Sequence, residues 1–408
     1  MSKAYGFYHN IAFSSKLNCI VCNGLGGTSL INGNIYLEAD RSTLSASGWP
    51  LEIASDAECL EKCYTRSRNT FRPERYPIED FPELSKTELF QEEAENIGLR
   101  DRYRVAAQTT KFSTGINSSG LEYSASLLNS QDFTGNNDGS KQTVLSTYIA
   151  DAWNWGAEIF TQCEVRRIQE MSPLGEGYIV FFAWHGQNRS SVDMYRDPLW
   201  VHAKKAVFIG AGVFGTTEIL LRSQENGLAL SSRVGQRVSD NGEAWGLGGK
   251  LTRGDSHIRP VDKILPVQLV LALLTIEIWI VSLKDGDLAV QNPAREDRDY
   301  LEHVKLLTRA AKSVGGTMLI PGSQCGRPRF IFHPTGGVCM ASDGTGSTGA
   351  ANHAGELFKG HGSETHEGLV VVDGAIIPAA LGISPMATIS ALAERSVHLY
   401  TMRHPFWV

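Results

Sequence analysis

The chain has 408 residues, and at about 150 residues per domain this length predicts two to three domains with a large buried core. Hydrophobic residues make up 42% and charged residues 20% of it, which excludes a disordered, collagen-like or fibrous protein. The formal charge of −6 comes from 38 basic and 44 acidic residues mixed along the chain, so no nucleic-acid partner is expected. Seven cysteines are an odd and sparse set, which argues against a secreted disulfide framework.

The sequence contains no segment that clearly predicts a membrane span or a signal peptide. The first 24 residues lack a basic head followed by an unbroken apolar core, so a cytoplasmic location is expected. Leu265–Leu283 is long enough to test as a span, but Pro266, Gln268 and Glu277 interrupt it. We therefore expect a buried strand or strand pair there, with one solvated face around Thr275–Ser282.

Local patterns divide the chain into four parts. The first ends in an apolar strand and a Gly-rich loop near Leu37, and the second, about Asp40–Ser126, predicts helices with Ser N-caps at Ser55 and Ser85. The third contains β-rich runs and a strand–turn–helix unit; the runs are Ala157–Ile168, Gly177–Trp184 and Pro198–Gly212. The fourth, from about Gly249, holds the apolar run, a helix near Asp297–Val314 and a C-terminal block that begins at Phe330.

A glycine motif follows the strand that ends at Ile209. Gly210–Gly215 reads G-x-G-x-x-G and precedes a helical pattern, as in dinucleotide-binding turns. The residues after that helix are turn-like and supply no strand ending in Asp or Glu for a ribose. The motif therefore predicts a later strand–turn–helix of a nucleotide domain, with Gly212 where backbone passes close to a ligand; a nicotinamide-dependent dehydrogenase is the alternative.

A second Gly-rich loop, Asn23–Gly33, exposes backbone amides and short hydroxyls after an apolar strand. Such a loop can hold phosphates or a flat ring, or it can be a structural turn.

The C-terminal block carries the most specific pattern. His333-Pro-Thr-Gly-Gly337 is followed by a Val-rich strand ending at Asp373-Gly374, and then by Ser384-Pro-Met-Ala-Thr388 and a helix through Ala-Glu-Arg395. In this order the segments resemble the C-terminal domain of the glucose-methanol-choline (GMC) flavin oxidoreductases, most closely the cholesterol-oxidase-like branch. The Gly-rich loop resembles the family's loop along the flavin, and Phe133–Lys141 resembles a segment ahead of a helix in that branch.

The resemblance implies a fold class and a division of the chain. The expected fold is α/β: a Rossmann-like FAD-binding domain, lacking the family's N-terminal βαβ unit, interleaved with an α+β substrate domain that contains a mainly antiparallel sheet. The FAD-binding domain would comprise residues 1–40, 132–248 and 330–408. The substrate domain would comprise residues 41–131 and 249–329.

The resemblance also implies a reaction and its residues. The reaction is FAD-dependent oxidation of an alcohol carbon by hydride transfer to flavin N5, with His333 as the base and Ser384 as its partner, where the family usually carries Asn or His. The implied cofactor-binding residues are Gly24, Gly26, Gly27, Asn32, Gly33, Val165, Gly210, Gly212, Asp373, Gly374, Pro385 and Met386. The substrate is a small-molecule alcohol, and the apolar run would suit a hydrophobic polycyclic one. The particular substrate, the electron acceptor and the oligomeric state stay open.

A further departure from the family pattern lies ahead of Cys19. Nothing before Cys19 resembles the βαβ unit, whose loss would remove several charge-assisted hydrogen bonds to FAD at roughly 1.5–3 kcal/mol each. The alternative is therefore a catalytically degenerate remnant that binds flavin weakly or not at all.

No metal site is expected, because Cys19 and Cys22 lie three apart in a strand-like run and point to opposite faces.

Overall fold

The computed structural model describes residues 8–12, 17–82, 84–129, 135–172, 175–186, 195, 198–242, 247–249, 278–291, 298–319 and 329–405. Within these ranges, no helix combines the length and the apolar character needed to cross a membrane.

Helices and strands alternate irregularly along the chain. The α-helices are α1 (Arg41–Leu44), α2 (Leu51–Ser55), α3 (Ala57–Phe71), α4 (Ser85–Asn96), α5 (Ala150–Asn154), α6 (Gly212–Glu225), α7 (Arg298–Ser313) and α8 (Met386–Arg403). The strands are β1 (Tyr8–Ala12), β2 (Leu17–Cys22), β3 (Ile35–Tyr36), β4 (Ala107–Gln108), β5 (Gly115–Ile116), β6 (Glu122–Tyr123), β7 (Cys163–Glu170), β8 (Tyr178–Trp184), β9 (Leu199–Ala203), β10 (Val207–Ile209), β11 (Gln236–Ser239), β12 (Leu247–Gly249), β13 (Ile278–Lys284), β14 (Asp287–Gln291), β15 (Thr317–Leu319), β16 (Arg329–Ile331), β17 (Thr335–Gly337), β18 (Glu356–Phe358) and β19 (Thr365–Val371).

The main core forms around a short three-stranded sheet. Strand β10 pairs in parallel with β19, which pairs antiparallel with β18, so β10 and β19 end at the same edge of the sheet. Apolar side chains from α3, α6 and α8 pack with those of β10 and β19 in one cluster, which includes Phe71, Leu220, Leu369 and Leu392. This packing buries the apolar end of β19, Leu369–Val371, completely.

A four-stranded antiparallel sheet lies beside this core, in the order β14-β13-β11-β17. In β13 the side chains of Trp279 and Val281 are buried, and Ile280 between them is 39% exposed, as alternation along a strand requires. The strand predicted in the apolar run is thus confirmed over Ile278–Ser282, and residues 265–277 of that run lie outside the described residues. β11 and β17 come from segments assigned above to the FAD-binding domain, and β13 and β14 come from the predicted substrate domain.

Three local predictions were wrong in detail. The N-cap of α3 is Asp56 rather than Ser55, because the Asp56 carboxylate accepts from the backbone N–H of Cys59. Ser85 lies inside α4, whose N-cap residue is Leu84. The run predicted from Ala157 becomes strand only at Cys163, since its partner β8 ends at Trp184 opposite that residue.

The carboxylate of Asp373, two residues after β19, caps α6. The N-cap residue of α6, Ala211, makes no side-chain cap bond. Instead Asp373, which follows β19, accepts hydrogen bonds from the Gly212 N–H at 2.8 Å and from the Thr216 hydroxyl, and its other oxygen accepts from the Ala375 N–H at 2.8 Å. Burial raises the pKa of Asp373, and these bonds act in the opposite direction. The carboxylate also lies at the positive end of the helix dipole.

Helix α4 contains a buried acidic side chain one turn after its contact with α7. Leu89 of α4 packs with Ala311 of α7 and with Val314, which directly follows α7. Glu93, one turn after Leu89, is 1% exposed, and neither of its carboxylate oxygens has a hydrogen-bond partner in the described part of the chain. Burial, with a smaller contribution from Glu92, raises the pKa of Glu93 to about 7.

We predict that Glu93→Leu stabilises the protein at pH 8 but much less at pH 5. The folded-state pKa of about 7 lies above the ordinary value of 4.5, which also applies to the unfolded chain. As the pH rises from 4.5 through 7, the unfolded chain loses this proton more readily than the folded protein, so the free energy of unfolding falls. At pH 8 the ionised buried carboxylate then costs on the order of 2 kcal/mol. Urea unfolding at both pH values measures the difference, with the exposed Glu95→Leu as control; a gain independent of pH would contradict the prediction.

We predict that Asp373→Ala lowers the free energy of unfolding by roughly 3 kcal/mol, because it leaves the buried Ala375 N–H, the buried Thr216 hydroxyl and the Gly212 N–H without their acceptor. Asp343→Ala is the matched control. Asp343 also accepts from one backbone N–H and two hydroxyls, but it is exposed, so water can replace it and its loss should cost much less. If urea unfolding gave equal decreases in the free energy of unfolding for the two variants, the hydrogen bonds of Asp373 would contribute no more than those of an exposed carboxylate.

Candidate functional site

The Gly-rich loop between β2 and β3 is a tight turn fixed by its own short side chains. The Gly27 N–H donates to the Gly24 carbonyl at 2.8 Å. The Ser29 hydroxyl donates to the Gly26 carbonyl at 2.6 Å and accepts from the Val144 N–H at 3.0 Å. Gly26 has φ of +104°, and a Cβ there would lie 3.0 Å from the Cβ of Leu145, so glycine is needed at this position. The predicted loop is therefore held against the segment that leads into α5.

A buried lysine holds the far side of the same loop. Lys141 is 6% exposed. Its ammonium donates to the carbonyls of Leu30 at 3.2 Å and Asn32 at 2.7 Å. We assigned no role to Lys141 from the sequence, although it ends the segment that resembles the family. Phe133 and Thr134 of that segment lie outside the described residues.

The start of α8 lies against this loop. The Asn32 side-chain amide donates to the sulfur of Met386 at 3.1 Å, and the Ser384 hydroxyl donates to the carbonyl of Ile35 at 3.3 Å. The structure thus brings together Asn32, Ser384, Pro385 and Met386, which the sequence predicted as parts of one site.

Helix α3 fixes the position of α8. The hydroxyls of Tyr64 and Thr388 are 2.9 Å apart, and Arg66 pairs with Glu394 at 3.0 Å. Tyr148 donates a further hydrogen bond to Glu394 at 2.9 Å. Because these bonds act on the first and second thirds of α8, the amino end of the helix is fixed relative to the Gly-rich loop.

His333 lies in the bend between β16 and β17 and is half-buried. Its neighbour Pro334 contributes a carbonyl oxygen that lies 3.5 Å from the ideal Cβ position of Gly374. That same Cβ position is 3.2 Å from Ile389 of α8 and 3.4 Å from Val213 of α6. The small size of Gly374 therefore lets the His333 bend, α6 and α8 converge.

Asn241 is a positioning residue that the sequence analysis missed. It is fully buried with φ of +65°, and it accepts from the Leu381 N–H at 2.7 Å and donates to the Ile383 carbonyl at 2.6 Å. These bonds fix the three residues before Ser384. Asparagine tolerates the left-handed conformation, but its partners are about 140 residues away, so only the turn-like character of its segment was visible.

The other predicted cofactor residues lie in two places. Gly210 and Gly212 form the turn between β10 and α6, where the Gly212 N–H is already used by Asp373. A ligand at this exposed turn would therefore meet a Gly212 amide that already has an acceptor. Val165 lies in β7 opposite Phe182, at an irregularity in the strand register, and packs against the main core. Gly33 lies in the Gly-rich loop next to Asn32.

The residues around the loop and α8 fit the FAD implied by the resemblance. The Asn32 side-chain oxygen is buried and has no hydrogen-bond partner in the described ranges. At Gly27, with φ of +59°, an added Cβ would meet open space. The N-cap residue of α8, Pro385, makes no side-chain cap bond. The first amides of a helix have no partner within the helix, so a ligand could accept hydrogen bonds from them here. Among the described residues, no group of three His, Cys, Asp or Glu side chains could hold a metal ion.

Comparison with known proteins identifies the family. A family model for GMC oxidoreductase matches residues 12–241. Among solved structures, a fungal aryl-alcohol oxidase superposes with a TM-score of 0.63 at 13% identity, over 98% of this chain and 89% of that one. A pyridoxine 4-oxidase from Mesorbium loti gives 0.58 at 15% identity, over 98% and 90%. An FAD-dependent oxidoreductase from Chaetomium thermophilum gives 0.58 at 13% identity, over 95% and 87%.

The family match confirms the resemblance found in the sequence and the mixed α/β fold class. With the family, FAD is confirmed as the expected cofactor. The cholesterol-oxidase-like branch, the missing βαβ unit, the domain boundaries and the individual site residues stay predictions. Because the matched range covers more than half of its residues, the chain belongs to the GMC oxidoreductase family.

Proposed function

We propose that the protein oxidises an alcohol carbon with bound FAD, and that His333 removes the hydroxyl proton while Ser384 orients the imidazole. The observation that carries this proposal is the convergence of three predicted segments. The Gly-rich loop contacts the start of α8 through Asn32 and Met386, and the His333 bend reaches α8 through Gly374.

FAD supplies the hydride acceptor, flavin N5, when it is bound. This chain would hold the cofactor with the loop Gly24–Gly33, the Asn32 side chain and the amino end of α8. The α8 amides are suited to donate hydrogen bonds to a carbonyl oxygen or to a developing negative charge, since the positive end of the helix dipole lies there. Lys141 holds the Gly-rich loop through hydrogen bonds to two of its carbonyls, so its role is structural.

Two features suit His333 to the proton transfer: the acid–base chemistry of histidine and the restricted backbone next to it. Histidine is the side chain most often used as a general base. Pro334 restricts the backbone immediately after it, and the contact of the Pro334 carbonyl with Gly374 fixes the bend. A base held in this way would approach the substrate hydroxyl from a defined direction, which is the main requirement for efficient transfer.

Ser384 would act through its oxygen. Its hydroxyl hydrogen is directed to the Ile35 carbonyl, which leaves the oxygen lone pairs as acceptors. An N–H of the His333 imidazole donating to that oxygen would leave the other ring nitrogen as the base. Asn241 supports this arrangement because it fixes Leu381 and Ile383 ahead of Ser384.

Two alternatives are less well supported. A nicotinamide-dependent dehydrogenase would need the Gly212 amide for a pyrophosphate, and Asp373 already accepts from it. A remnant without catalysis is not favoured by the family match or by the fit of the site to FAD. A hydrophobic polycyclic substrate stays part of the proposal, and residues 265–277 of the apolar run that suggests it lie outside the described residues. A cytoplasmic location is likewise a proposal.

We predict that His333→Ala keeps FAD but slows its reduction by an alcohol by about 10²–10⁴-fold, the usual contribution of a general base. The measurement is the anaerobic loss of the oxidised flavin absorption after mixing with an alcohol. Benzyl alcohol, a primary aliphatic alcohol and a sterol form the first substrate panel, and the wild-type protein selects the one used.

The control is His361→Ala, because His361 is exposed and only its backbone carbonyl makes a described hydrogen bond. It should reduce FAD at the wild-type rate. If His333→Ala retained full turnover with stoichiometric FAD, His333 would not be the base.

A further inference from the structure

A small cavity lies behind the His333 bend. Its volume is about 40 Å³, and it is lined by Arg237, Ser239, Thr335 and residues 377–380. Thr335 follows His333 by two residues and pairs with Ser239 across strands β17 and β11. The cavity therefore lies on the side of the β11–β17 pair where residues 377–380 pass.

Arg237 enters the cavity from an irregular point in β11. The register with β17 shifts between Gln236 and Ser239, and Arg237 has φ of +60°, in the left-handed region that side chains other than glycine rarely adopt. Gly336 allows this conformation, because a Cβ there would lie 2.1 Å from the Arg237 carbonyl oxygen. A strained residue of this kind persists only where surrounding contacts impose it, and such residues are frequent at ligand sites.

Arg237 and Thr335 supply hydrogen-bond donors at the cavity. One guanidinium nitrogen of Arg237 donates to the Pro378 carbonyl at 2.6 Å, and within the described residues no carboxylate lies within ion-pair distance of Arg237. The Thr335 side chain is 1% exposed, and its hydroxyl has no hydrogen-bond partner in those ranges. A buried hydroxyl without a partner costs about 1–3 kcal/mol, so a ligand that accepts its hydrogen would be favoured.

Charge and size together define the ligand. A guanidinium presents paired N–H groups that match the two oxygens of a carboxylate, and the Thr335 hydroxyl adds a third donor. One water needs roughly 10–15 Å³ of such volume, so the cavity has room for a group of about three heavy atoms and no more. Formate has this size and shape.

We propose that this cavity is a binding site for a small carboxylate, held by the Arg237 guanidinium and the Thr335 hydroxyl. The proposal stands apart from the oxidation of an alcohol, since it requires neither FAD nor turnover. A carboxylate bound there would contact β17 two residues after the predicted base. Occupancy would then stabilise the strand that carries the His333 bend.

The test is a titration of the purified full-length chain with sodium formate, with the thermal unfolding midpoint as readout. Sodium gluconate replaces formate at constant ionic strength, because it is a carboxylate too large for the cavity. We expect a saturable rise of the midpoint with formate and no saturable rise with gluconate. The absence of a formate effect, or an equal effect of both salts, would overturn the proposal.

Variants locate the site. R237Q should weaken formate binding about tenfold or more, as the loss of charge-assisted hydrogen bonds predicts, and R237K should weaken it less. T335V preserves the shape of the side chain and should also weaken binding, so it decides the matter if R237Q does not fold. R309Q is the control, since Arg309 is an exposed residue of α7 and should leave the titration unchanged. Wild-type affinity in both R237Q and T335V would refute the assignment.

Discussion

The carboxylate of Asp373 links the elements that form the centre of this protein. It follows β19, caps α6 through Gly212 and Thr216, and fixes the turn at Ala375. Because β10 and β19 run in parallel, their ends meet at one edge of the sheet, where a single side chain can bridge the two following segments. The next residue, Gly374, is the point at which the His333 bend, α6 and α8 approach each other. The bridge therefore stabilises the sheet edge and fixes the spacing of the elements at the candidate site, and it occupies the Gly212 amide at the start of α6.

The candidate cofactor site depends on a second set of restraints, which act on the Gly-rich loop and on α8 separately. Lys141 and Ser29 hold the loop from two sides, and α3 holds α8 through Tyr64 and Arg66. The two elements then meet through Asn32 and Met386. Within the described residues, the buried Asn32 oxygen has no hydrogen-bond partner at this meeting point, and the N-cap residue makes no side-chain cap bond to α8. A cofactor with a polar ring edge could bond to the Asn32 amide and to the amino end of α8.

Much of the fold was predictable from the sequence where the signal is local. The helix over Arg298–Ser313, the strand–turn–helix at β10 and α6, and the Val-rich β19 each follow from periodicity and flanking glycines. The order of motifs in the C-terminal block was specific enough to indicate the family, which the comparisons confirm. What the sequence could not predict are bonds between distant segments. Asn241 and Lys141 act through backbone carbonyls far along the chain, and a carbonyl has no sequence signature. The same holds for Asp373, whose partners Gly212 and Thr216 lie about 160 residues before it; its place in a flavin loop stays a prediction.

The most direct test of the account is an equilibrium titration of the full-length chain with FAD, followed by flavin fluorescence and absorption, for the wild-type protein and for Asn32→Ala. The account predicts saturable binding with one FAD per chain and a weaker affinity in the variant, because the loop would lose its contact with Met386 and its free oxygen. If the wild-type chain bound no FAD, or bound it with an affinity unchanged by Asn32→Ala, the placement of the cofactor between the Gly-rich loop and α8 would be contradicted.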